Sequence, residues 1–95
     1  MNLKEIVNDP ETTFLDVREA DELVNDGKID KAVHIPMDDV PYQVDEIKAM
    51  KKPIVVFCRA GRRAEKVIEF LEQNDIEELY NGGGLTDMKK MLENS

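Results

Sequence analysis

Residues Ile54-Val55-Val56-Phe57 are apolar at four consecutive positions, and this run restricts the fold more than any other feature of the chain. A strand that shows one face to water alternates apolar and polar side chains. One that is apolar throughout has both faces covered, as in a parallel sheet between layers of helices. The neighbouring segments supply those layers. Ala64, Val67, Ile68 and Leu71 recur at i, i+3, i+4 and i+7, which predicts an amphipathic helix with Glu65, Glu69 and Glu72 outward.

The other elements alternate in the same manner. Asn2 and Glu5 have capping-box spacing ahead of Leu3, Ile6 and Val7, so a short opening helix is expected, closed by Pro10. Residues 12–17 read as a strand, and residues 19–25 as a helix stopped by Gly27 as its cap. Residues 32–35 form a short second strand ended by Pro36. Pro41 suits the first position of a helix carrying Val44 and Ile47 on one face. Residues 77–80 are expected as a last strand, followed by a glycine run and a helix whose inner face is Leu85, Met88 and Leu92. The expected architecture is α/β, with a small central parallel β-sheet and helices on both faces. With no repeat, linker or compositional break, residues 1–95 are read as one domain.

Charge and cysteine content narrow the function. The net −8 is a +6 island on a −14 body: residues 47–64 hold Lys48, Lys51, Lys52, Arg59, Arg62 and Arg63 and no acid. An acidic body argues against nucleic acid as a partner, while the island can attract a small anion. No apolar run is long enough to span a bilayer, and Met1 to Pro10 lacks the pattern of a secretory signal. One cysteine and one histidine make neither an internal disulfide nor a structural zinc site, so no metal or cofactor is expected and a cytoplasmic, reducing location is the default.

That one cysteine lies in the basic island. Cys58 closes the apolar strand, and a helix begins within a few residues, so the loop Cys58-Arg59-Ala60-Gly61-Arg62-Arg63 must curl over the helix N-terminus. Unpaired N–H groups and the positive end of the helix dipole gather there, and Gly61 can take the positive φ that turns several amides inward. A thiolate in that cup is stabilised below the free thiol pKa of about 8.5. Taken alone, Cys58 reads as a small buried hydrophobe and the arginines as a solvated helix start. However, cations at a helix N-terminus oppose the dipole. Arg59, Ala60, Gly61, Arg62 and Arg63 are therefore better read as an anion-binding loop around a reactive sulfur.

The six residues of this loop resemble the active loop of the single-domain rhodaneses, the thiosulfate and persulfide sulfurtransferases. Leu15-Asp16-Val17-Arg18-Glu19 is similar to that family's Asp-Val-Arg-Glu signature. The segment from Gly27 to Pro36 resembles its Gly-His-Ile-Pro-Gly-Ala-x-x-Ile-Pro segment, and Tyr80-Asn81-Gly82-Gly83-Gly84-Leu85 its Leu-x-Gly-Gly-hydrophobic close. The resemblance implies that Cys58 carries sulfane sulfur as a persulfide, taken from a small anionic donor and passed to a thiol, cyanide or protein acceptor. Loop amides would cradle the sulfur, and arginine side chains would hold the donor. Related phosphatases use a Cys-x5-Arg loop one residue longer; here that position is Ala64, with Arg63 one earlier, which favours sulfur transfer.

Lys28, Asp30-Lys31 and Met88 depart from the family pattern, and are expected to alter a turn and the packing of the last helix. Asp16 with Arg18 is read as a structural ion pair, His34 as a structural histidine, and the glycines as packing beside the site. The leading expectation is an enzyme. The alternative is a sulfur-carrier or regulatory binding module with little thiosulfate activity.

Overall fold

The computed structural model describes residues 2–93. Its centre is a four-stranded, wholly parallel sheet in the order β2-β1-β3-β4, made of β1 (Thr13–Asp16), β2 (Val33–His34), β3 (Ile54–Cys58) and β4 (Leu79–Gly84). β3 occupies an interior position, and all five of its residues are buried. The α/β sheet read from its unbroken apolar run is therefore the one observed.

Alternate side chains of β1 and β3 feed two separate cores. Leu15, Ile54, Val56 and Cys58 face one layer, where Ile47, Ala64, Val67 and Leu71 pack. This layer is built from α3 (Val44–Lys48), α4 (Arg62–Gln73) and the 3-10 helix Met37–Tyr42. Phe14, Val55 and Phe57 face the other, against Ile6 and Val7 of α1 (Leu3–Val7) and Leu85 and Met88 of α5 (Leu85–Glu93). Met88 is fully buried, its flexible thioether filling the core beneath β4. Outside both cores lies α2 (Ala20–Asp26), with no buried residue of its own.

The caps follow the sequence. Asn2 and Glu5 form the reciprocal capping box of α1, and Gly27 closes α2. Glu65, Glu69 and Glu72 are exposed, as the helical spacing predicts.

α1 ends at Val7 with Asn8 as its cap, ahead of the Pro10 expected to close it. The ends of β1, α2 and β2 shift by one residue, and two boundaries differ more in kind. Pro41 does not open a helix; it lies inside the 3-10 helix, and α3 begins at Val44. Proline tolerates either setting because each fixes φ near −65°, so the residue alone does not distinguish them. The last strand starts at Leu79 and runs through the glycines to Gly84. Glu78 adopts a φ of 59° and turns the chain into it. Glycine is a poor strand former, and β4 contains three because its neighbours approach too closely for side chains.

Candidate active site

β1 and β3 end together at the carboxyl edge of the sheet, the edge at which ligands bind in open α/β folds. β1 contributes a buried ion pair. Arg18 donates through Nη2 to Asp16 Oδ2 at 2.8 Å and through Nε to Oδ1 at 3.0 Å, and it also reaches the carbonyl of Gly27 at 3.0 Å. Bonding to Asp16 raises the Arg18 pKa against the opposing effect of burial. His34 Nε2 lies 2.7 Å from the carbonyl of Arg18. These residues tie β1, β2 and the end of α2 into one frame, in keeping with their structural reading.

β3 ends on Cys58, which is 1% exposed. The loop after it turns back at Gly61, whose φ of 93° is left-handed and which caps α4. The turn brings the Gly61 N–H to 3.0 Å from Cys58 Sγ. Burial pushes the Cys58 thiol up, but the backbone N–H groups of Ala64, Ala60, Gly61 and Arg63 together outweigh it, so the pKa falls below its ordinary value. The cup expected from the sequence is thus present, and its donors are mainly amides rather than guanidiniums.

The three arginines go different ways. Arg63 is held by Glu22 of α2, Nη1 to Oε2 at 2.7 Å and Nη2 to Oε1 at 2.8 Å. That bond raises the Arg63 pKa, with a further contribution from the charge of Cys58. The same bond lowers the Glu22 carboxyl to about 2. Arg59 and Arg62 are exposed. Arg59 lines a cleft of about 320 Å³ with Arg18, Asp26, Leu85 and Thr86. Among the described residues, no group of His, Cys, Asp and Glu is arranged to hold a metal ion.

β4 forms the wall behind the loop. A methyl group added to Gly84 would overlap the carbonyl of Arg59, and one added to Gly61 would lie 3.4 Å from Gly83 Cα. The glycine run does pack beside the site. Two polar residues here escape a reading by spacing. Glu22 carries a faint signal, since it stands three residues after Glu19 and also caps α2. Asn81 carries no such signal.

A buried thiol at a strand end, under converging amides and at the start of a helix, defines a class of α/β proteins with a thiolate-holding loop. Within that class, the chain belongs to the rhodanese-like domain family, whose model matches residues 2–90. It is 36% identical over 84 residues to the provisionally named sulfurtransferase YtwF of Bacillus subtilis, covering 87% of this chain and 80% of that protein. It is 34% identical over 88 residues to a tRNA uridine(34) hydroxylase of Erwinia tasmaniensis, of which it spans only 25%. The crystal structure of SSP1007 from Staphylococcus saprophyticus superposes with a TM-score of 0.73 at 27% identity, covering 90% of this chain and 83% of that one.

Proposed function

We propose that the protein is a sulfurtransferase that moves sulfane sulfur from thiosulfate or a persulfide donor to a thiol, cyanide or protein acceptor, with Cys58 as the carrier. The observation that supports this most is the cup of amides around Cys58 Sγ, with the Gly61 N–H at 3.0 Å and the thiol pKa lowered despite burial. A sulfur anion is the group such a cup stabilises.

The chemistry balances in two steps. The Cys58 thiolate attacks the outer sulfur of thiosulfate, the S–S bond breaks, and sulfite leaves with the bonding pair. Cys58 is then a persulfide whose outer sulfur carries the charge. An acceptor thiolate or cyanide attacks that outer sulfur and takes it, restoring the Cys58 thiolate. The backbone of Arg59, Ala60, Gly61, Arg62 and Arg63 would hold the sulfur, and the exposed guanidiniums of Arg59 and Arg62 would receive an anionic donor. The cycle needs a reduced thiol, which suits a reducing compartment such as the cytosol. Among the described residues, no helix is long and apolar enough to cross a membrane.

One observation favours the second reading, a carrier loaded by a persulfide donor with little use of thiosulfate. Arg63 is already engaged in a bidentate pair with Glu22, which withdraws one of the three guanidiniums from a free dianion. Thiosulfate:cyanide turnover tests the choice. Steady turnover that saturates with thiosulfate supports the enzyme; slow turnover combined with rapid loading by a persulfide supports the carrier.

A further inference from the structure

β4 meets the Cys58 loop irregularly. Val56 pairs with Asn81 and Cys58 pairs with Gly84, so two steps along β3 match three along β4. The extra residue is a β-bulge, an uncommon feature in a parallel pair, and bulges re-aim the side chains beside them. Here the residue before the bulge is Asn81, and its amide uses both ends. Nδ2 donates to the carbonyl of Gly61 at 2.9 Å, and Oδ1 accepts the N–H of Gly83 at 2.8 Å. The two bonds fix which end of the amide faces the loop.

Gly61 is the residue on which the loop turns, and its N–H donates to Cys58 Sγ. Its carbonyl accepts from two sides, Asn81 Nδ2 and the N–H of Glu65 at 3.0 Å. A carbonyl held at two points restrains ψ of Gly61, and so the placing of the Gly61 N–H, which donates to Cys58 Sγ, relative to the first turn of α4, whose Arg63 and Ala64 amides also act on the sulfur. Asn81 therefore restrains the loop from outside, across 20 residues of sequence, without touching the sulfur.

We propose that Asn81 is a positioning residue for the Cys58 loop: by clamping the Gly61 carbonyl to the bulge of β4 it keeps the loop amides convergent on the sulfur, and so sets how readily Cys58 reacts. This rests on the reading of Cys58 as a sulfur-carrying nucleophile and adds a residue outside the loop to it.

The test is the rate of iodoacetamide alkylation of Cys58 against pH in wild type, Asn81→Leu and Tyr80→Phe, with folding checked by circular dichroism. Leucine matches asparagine in branching and removes both bonds. The expected result is a profile midpoint moved to higher pH in Asn81→Leu, with the rate at neutral pH reduced roughly fivefold, the worth of one hydrogen bond. Tyr80→Phe, on the adjacent residue of the same strand, should leave the profile where it is. Should the leucine variant fail to fold, Asn81→Ser, which keeps a polar group on the strand surface, carries the same expectation. A folded variant with the wild-type midpoint and rate overturns the proposal, as does an equal shift in Tyr80→Phe. Alkylation requires only the thiolate. If wild type takes up no sulfur from any donor, the sulfur-transfer reading fails while the role of Asn81 is still decided by the profile.

Discussion

Cys58 is an ordinary buried residue by position and an unusual one by its surroundings. Its sulfur is almost fully covered, yet the amides that cover it donate to it, so burial strengthens those bonds as it desolvates the thiolate. In an iodoacetamide pH profile the midpoint of wild type is expected below the free-thiol value of about 8.5; a midpoint at or above it would contradict the cup. Gly84 tests the same geometry from behind. The Gly84→Ala methyl would meet the Arg59 carbonyl, a backbone atom that can yield only by moving the loop. The variant is expected to lose on the order of 1–3 kcal/mol in denaturant unfolding, as overpacking does, and to raise the alkylation midpoint. Cys58, Gly61 and the basic loop are legible in the sequence because each residue type has few physical uses at a strand-to-helix turn. Glu22 and Asn81 are not, because their partners lie 41 and 20 residues away and only the folded chain brings them together.

At the scale of elements, β3 and α4 are the most legible, since each has an uninterrupted period of its own and together they carry the site. The extent of β4 is not legible. Residues 77–80 look more strand-like than a glycine run, but tertiary packing against Val55, Met88 and the Cys58 loop selects residues with no side chain. α2 buries nothing itself, and it is joined to the start of α4 by the Glu22–Arg63 pair. Glu22 has a folded pKa of about 2 against an ordinary 4.5, so the pair adds stability above about pH 4.5 and loses it as pH falls toward 2. Glutamine can still cap α2 but carries no charge. Glu22→Gln is therefore expected to lose on the order of 1 kcal/mol at neutral pH, a value reduced for partial exposure. In urea unfolding the difference from wild type should shrink near pH 2; a gap that stays constant across that range would show that the charge is not its source. The Asp16–Arg18 pair is buried more deeply. Arg18→Met leaves Asp16 uncompensated and is expected to destabilise by about 3–5 kcal/mol in the same measurement at neutral pH.

Over the whole molecule, two cores on opposite faces of one parallel sheet place the end of β3 where the layers open, and the loop closes over it. The +6 island of the sequence is divided by the fold: Lys48, Lys51 and Lys52 precede β3 and lie at its amino end, with Lys51 paired to Glu11, while Arg59, Arg62 and Arg63 follow its carboxyl end beside Cys58. Arg63 is paired with Glu22, so the field at the loop comes from the exposed Arg59 and Arg62, and it draws small anions there. Because salt screens it, the rate of loading by thiosulfate should fall as ionic strength rises from about 0.01 to 0.1 M, where the Debye length shortens from about 30 to 10 Å. A salt-independent rate would remove steering from the account. The central claim is that Cys58 carries a transferable sulfur, and intact-protein mass spectrometry of wild type and Cys58→Ala, after incubation with thiosulfate or with a low-molecular-weight persulfide, tests it most directly. The account predicts a gain of one sulfur atom in wild type, removed by cyanide and absent from Cys58→Ala. A folded wild-type protein with a free thiol that gains no sulfur from either donor, or a gain that persists in Cys58→Ala, would contradict it.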